Sequence, residues 1–172
     1  MAFRSEIADF GAFYERTYQL AYRTALAITR DTGQAADVTQ EAYAAAYSSR
    51  ERFRGESPGA AWLHRIVVNA ALAAARRPRP VVREITDLEG GQRDETAGSA
   101  DRVALFGALG ELPPKQRAAI VLRYYHDYDY ATIAEILGTS STNVGALLSR
   151  ALDRLRDELQ PEPLTAAAGG RP

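Results

Sequence analysis

The chain has 172 residues, 46% of them hydrophobic and 25% charged, the composition of an ordinary soluble globular protein with room for one domain or two small ones. It contains no cysteine, so disulfides, thiolate metal sites and cysteine nucleophiles are excluded. Its formal net charge of −1 is not that of an autonomous DNA binder, because phosphate neutralisation supplies most non-specific DNA affinity. The N-terminal stretch MAFRSEIADF carries charges where a signal peptide needs an apolar core. The longest nearly apolar run, residues 66–75, is far too short to span a bilayer. A cytoplasmic chain with no membrane insertion is expected.

Taken in order, the periodicity predicts a first helix over residues 7–30, burying Phe10, Phe13, Tyr14, Ala21, Ala25 and Ile28. Asp31-Thr32-Gly33 breaks it and caps a second helix over residues 35–49. Along that helix Asp37, Gln40, Glu41 and Ala44 form one polar stripe at i, i+3, i+4, i+7, with Val38, Ala42 and Ala45 on another side. Taken alone, such a stripe is most simply a solvated face. Residues 50–59 follow as a Gly-, Ser- and Pro-containing loop carrying three Arg and an exposed Phe53. Cations interleaved with a ring suit a nucleic-acid strand, the one for phosphate and the other for an unstacked base. The next helix, residues 60–77, carries Arg65 and Asn69 on one face and packs most of the Trp62 ring in the core.

Pro78-Arg79-Pro80 ends that helix, and the acidic, aperiodic residues 81–100 read as a flexible linker. At no more than ~3.5 Å per residue, about twenty residues reach up to ~70 Å, close to two turns of duplex at ~34–36 Å each. A second module then begins, with helices over residues 101–109 and 115–125. Asp129 is placed to cap the stretch YATIAEILGTSSTNVGALLSR, residues 130–150. There Ile133, Ala134 and Leu137 share a face, Gly138 can take the left-handed conformation that stops a helix, and Ser140 caps the next, striped by Val144, Leu148 and Ala151. This is a helix-turn-helix pattern, whose second helix can lie in the DNA major groove. The tail, residues 160–172, reads as disordered. The expected architecture is all-α: two small helical domains, residues 1–77 and 101–159, joined by a flexible linker over 78–100, the C-terminal domain containing the helix-turn-helix.

The motifs Asp37-Val38-Thr39-Gln40-Glu41, Arg52-Phe53-Arg54-Gly55 and Trp62-Leu63-His64-Arg65-Ile66 with Asn69 stand in the first module. Leu112-Pro113-Pro114, Gln116-Arg117, Leu122-Arg123-Tyr124 and Tyr130-Ala131-Thr132-Ile133-Ala134-Glu135-Ile136-Leu137-Gly138 stand in the second. In this order and spacing the chain resembles bacterial RNA polymerase sigma factors of the extracytoplasmic-function (ECF) type. The resemblance implies a transcription initiation factor that is no enzyme and needs no cofactor or metal. It implies that Asp37, Gln40 and Glu41 dock on core RNA polymerase. Arg52, Phe53, Arg54, Ser57, Trp62, Arg65 and Asn69 would take the −10 promoter element as extruded bases of the non-template strand, at an unstacking cost of a few kcal/mol. The helix-turn-helix would meet duplex DNA at the −35 element, and an anti-sigma regulator would be a further partner. A near-neutral chain suits a factor that reaches promoters attached to polymerase.

The chain departs from the family where two basic residues usually follow the position of Val144: here stand Gly145 and Leu147. Contact is left to Ser141, Thr142, Asn143, Ser149, Arg150 and Arg154, of which Asn can read adenine and Arg guanine. With Leu147 on the DNA-facing surface, weakened −35 binding is expected, and Arg at 147 would strengthen it. The alternative reading is a sigma-like interaction protein that binds polymerase or a regulator with weakened −35 recognition. A stand-alone dimeric regulator would need a basic recognition surface. An enzyme is disfavoured because the two histidines, His64 and His126, sit in different modules and have no metal spacing or nucleophile partner, and because no Gly-rich phosphate loop is present.

Overall fold

The computed structural model describes residues 3–76 and 99–159. The linker expected over 78–100 lies outside them save for its last two residues, and the tail of 160–172 lies outside them altogether. Among the described residues every regular element is helical: α1 (Phe10–Thr29), α2 (Thr32–Ser49), α3 (Gly59–Ala75), α4 (Ser99–Glu111), α5 (Pro114–Ile120), α6 (Tyr130–Leu137) and α7 (Ser141–Leu159). None of these helices is long and apolar enough to cross a membrane.

Local chemistry sets most of the boundaries. Asp9 accepts from the Ala12 N–H at 3.0 Å and starts α1, so residues 7–9, expected within this helix, precede it. Arg30 ends α1 in a left-handed conformation (φ 59°), and Asp31 caps α2 through the Gln34 N–H at 2.7 Å. In the second module Asp129 accepts from the Thr132 N–H at 2.7 Å, a bond that holds its carboxyl below the usual range. Gly138 ends α6 at φ 60°, and Ser140 accepts from the Asn143 N–H at 3.2 Å to open α7. The helix expected over 115–125 is α-helical only to Ile120, after which Val121–Tyr125 widens into a π-helical turn. The first module packs α1, α2 and α3 around Phe13, Leu26, Val38 and Val67; the second packs α4 to α7 around Leu122, Ile133, Val144 and Leu148. On α2 it is Ala46 rather than Ala45 that is buried, and Tyr14 of α1 stays 41% exposed.

The two modules are not held apart. Helix α3 packs against α5 and α6, and α1 packs against α5. One guanidinium spans the junction: Arg117, 6% exposed, donates from Nε to Leu109 O at 2.8 Å, from Nη2 to Leu112 O at 2.8 Å and Gly110 O at 3.2 Å, and from Nη1 to Ile28 O. Ile28 lies in the last turn of α1, and Leu109 and Gly110 lie in the last turn of α4. The buried cation therefore rests on the negative ends of two helix dipoles rather than on a carboxylate. Burial lowers its pKa to about 10, with Arg30 pushing the same way and Glu111 opposing, so it stays charged at neutral pH.

Candidate functional site

On α2, Asp37, Gln40, Glu41 and Ala44 are all exposed, while Val38, Ala42 and Tyr43 turn inward. The stripe is thus a continuous acid-tipped surface anchored by a packed back face. Tyr43 is fixed there because Thr17 already donates to Phe13 O at 2.6 Å, so the phenol must donate to Thr17 Oγ at 2.7 Å. Burial pushes its pKa up to about 12. At the end of α2 the Arg50 guanidinium lies 3.8 Å from the centroid of the half-exposed Tyr47 ring.

The loop that follows corrects one expectation. Phe53 is only 6% exposed, tucked under the loop with its ring 4.9 Å from that of Trp62, itself half-buried. A ring committed to α3 in this way offers no free face to an unstacked base. Arg52 and Arg54 remain exposed and Ser57 half-buried. With Arg4, Glu51, Phe53 and Glu56 the two arginines line an open cavity of about 550 Å³. Arg65 and Asn69 are exposed one helical turn apart on α3.

Sequence reasoning missed what holds this loop. Glu6 accepts from the Gly59 N–H at 2.8 Å and so supplies the first turn of α3 with the cap that Pro58 cannot. Arg16 in turn donates to Glu6 O at 3.1 Å. Gly55 sits at φ 70° with the backbone of Arg4 against it; a Cβ there would lie 2.7 Å from Arg4 N, so the loop needs glycine on two counts. No local pattern marks Glu6, because its partner is 53 residues away.

In the helix-turn-helix, Ser141, Thr142, Ser149, Arg150 and Arg154 are exposed and Asn143 is half-buried, its amide donating to Thr139 Oγ at 2.7 Å. Leu147 is 9% exposed, in the core beside Val144, Leu148, Ala151 and Leu155. The expectation that it faces DNA is therefore wrong: a helical apolar stripe is wide enough to take both 147 and 148. The corrected prediction reverses sign. Leu147→Arg should destabilise the chain by about 3 kcal/mol or more, by burying an unpaired charge. Ser149→Arg, on the exposed face, should raise duplex affinity and steepen its salt dependence with little change in melting. Equal melting curves for Leu147→Arg and the parent chain would refute this placement.

His64 and His126, far apart in sequence, are brought together with ring centroids 4.0 Å apart. No group of three or more potential metal ligands occurs among the described residues.

Two family models match, one module each: "Sigma-70 region 2" over residues 13–80 and "Sigma-70, region 4" over residues 102–155. The chain is 32% identical over 165 residues to the RNA polymerase sigma-E factor of Streptomyces coelicolor, covering 95% of this chain and 93% of that one. It is also 32% identical over 150 residues to the ECF RNA polymerase sigma factor SigM of Mycobacterium tuberculosis, covering 85% and 74%. Among solved structures it is similar to the sigma factor RpoE in complex with the anti-sigma factor NepR from Bartonella quintana. That match has a TM-score of 0.71 at 25% identity, over 90% of this chain and 99% of the other. The fold is also that of CnrH, solved with the cytosolic domain of CnrY, at a TM-score of 0.64 and 24% identity over 86% and 85% of the chains.

Proposed function

Because this chain belongs to the sigma-70 family, in its ECF group of RNA polymerase sigma factors, we propose that its two modules divide promoter recognition between them. As a member of that family it is a transcription initiation factor that binds core RNA polymerase and directs it to promoters. In our reading the α2 stripe of Asp37, Gln40 and Glu41 docks on polymerase. The loop and α3, through Arg52, Arg54, Ser57, Trp62, Arg65 and Asn69, take the melted non-template strand of the −10 element. Helix α7, through Ser141, Thr142, Asn143, Ser149, Arg150 and Arg154, meets the −35 duplex. The observation that carries this reading is the sorting of side chains. The acids of α2 and the Arg–Asn pair of α3 all point to solvent on well-packed helices, where a structural role would bury or pair them.

Run-off transcription with core polymerase, with and without the chain, on a promoter library tests it. Promoter-specific transcripts should need the chain. Arg65→Ala with Asn69→Ala should lower initiation at least ~30-fold and relax selectivity at the −10 positions, the loss expected for two base contacts worth ~1–3 kcal/mol each. Unchanged selectivity in that double variant would move −10 reading elsewhere.

One observation favours a shift of promoter choice toward the first module. The first two turns of α7 expose Ser141 and Thr142 but no cation before Arg150, whose Nε donates to Ala146 O at 3.2 Å. Phosphate grip at −35 is correspondingly small. An anti-sigma protein is a further proposed partner, supported by the likeness to RpoE, solved with NepR.

A further inference from the structure

Between α3 and the second module lies a polar cluster in which His64 is buried and His126 and Tyr128 are half-buried. His64 is 1% exposed; its Nδ1 shares a 2.8 Å hydrogen bond with Tyr128 Oη, and its Nε2 is buried with no hydrogen-bond partner. His126 Nε2 lies 2.7 Å from Thr24 Oγ of α1. Thr24 already donates to Leu20 O at 2.8 Å, so it accepts here and His126 must carry its proton on Nε2. The cluster thus takes residues from both modules, and it uses both histidines of the chain.

The docked arrangement conflicts with promoter reading as proposed above, on which this inference rests. Helix α3 packs on α6, and α6 packs on α7. Two interaxial steps of ~8–10 Å leave the −10 and −35 helices ~20 Å apart, against the ~70 Å of two duplex turns. We propose that the contact of α3 with α6 and with the turn that precedes it, residues 126–129, is an autoinhibitory latch that holds the two modules together in the free chain, and that the touching histidines at that contact, one from each module, make it acid-labile.

Among the described residues no carboxylate bonds to either ring. From the second module the facing titratable groups are Tyr128, whose phenol burial raises to about 12, and Tyr125, which takes an Arg23 Nη1 donor at 3.5 Å from α1. Arg123 donates to Tyr128 O at 3.0 Å and pairs with the exposed Asp127 at 3.6 Å. On α3 itself the neighbouring Arg65 is exposed. Burial, then the neighbouring His126, lowers His64 to about 3, and burial lowers His126 to about 4. Once the modules part, both rings meet water and return toward the ordinary value of ~6.5. Opening therefore takes up two protons. The latch is at full strength above pH ~6.5 and weakens as pH falls below it, the open-to-closed ratio rising about a hundredfold between pH 7.5 and 5.5.

The chain's lack of cysteine permits a clean test. Dyes on Ser48→Cys and Asp157→Cys, both at exposed positions, report module separation by energy transfer in the full chain. Transfer should be high at pH 7.5 and fall toward pH 5.5 with far-UV helicity unchanged. His126→Gln should flatten this response, the double variant with His64→Gln should abolish it, and His126→Arg should open the chain at pH 7.5. Low transfer at pH 7.5, transfer independent of pH, the same acid response in the double variant, or a loss of helicity that tracks the loss of transfer would each overturn the latch. Run-off transcription reports separately on promoter reading, so failure of that reading leaves the transfer result interpretable.

Discussion

Replacing Asp37 and Glu41 together by alanine is expected to abolish promoter-specific transcription while leaving the melting temperature within about 4 °C of the parent. Both carboxylates are exposed on α2 and make no ion pair among the described residues, so the fold has little to lose; surface changes of this kind cost at most ~0.5 kcal/mol each. Docking has much to lose. Truncating one partner of a charge pair that becomes buried in an interface costs ~2–5 kcal/mol. Two such losses total at least ~4 kcal/mol, or about a thousandfold in affinity. Run-off assays at fixed polymerase concentration, alongside thermal melts, check both halves. Transcript yields at the parent level would remove α2 as the docking surface, and a melting temperature lowered by more than ~4 °C would make the stripe structural.

Arg117→Ala is expected to destabilise the chain at least as much as Leu147→Arg. It leaves the carbonyls of Ile28, Gly110 and Leu112 without this donor at the junction, while Leu109 O keeps the Leu112 N–H. Each orphaned buried acceptor costs ~1–3 kcal/mol, and a loss of at least ~3 kcal/mol is expected. Set against a typical total of ~5–15 kcal/mol, that should lower the melting temperature by roughly 10 °C or more. Arg117→Lys should recover little, because an ammonium cannot fork to carbonyls on two helix ends as a planar guanidinium does. Thermal denaturation followed by circular dichroism decides the matter, and a shift below ~3 °C for Arg117→Ala would show that water replaces the guanidinium at no cost.

These two residue sets differ in how far they could be read beforehand. The stripe of Asp37, Gln40 and Glu41 lies within one helix, where a 3.6-residue period fixes which side chains share a face. Arg117 stands in a motif the eye can find, but its work depends on Ile28, which is 89 residues away. Periodicity also held the right answer for Leu147, since it lies on the stripe of Val144, Ala151 and Leu155. Matching it to a basic position of the family set that signal aside. Phe53 offered no such signal, because a loop has no period and only the proximity of Trp62 decides that the ring turns inward.

The sequence by itself determined the helices, the caps at Asp31, Asp129 and Ser140, the left-handed stop at Gly138, the division into two modules and the family. All of these follow from interactions spanning about four residues, or from motifs in a fixed order. Tertiary structure alone decided that Glu6 caps α3, that Leu147 and Phe53 are core, and that the modules dock through Arg117 and the histidine pair. Each of these depends on which surfaces meet once helices of fixed pattern pack. A side chain's burial, and with it the protonation of His64 and His126, is set by neighbours that chain order does not reveal.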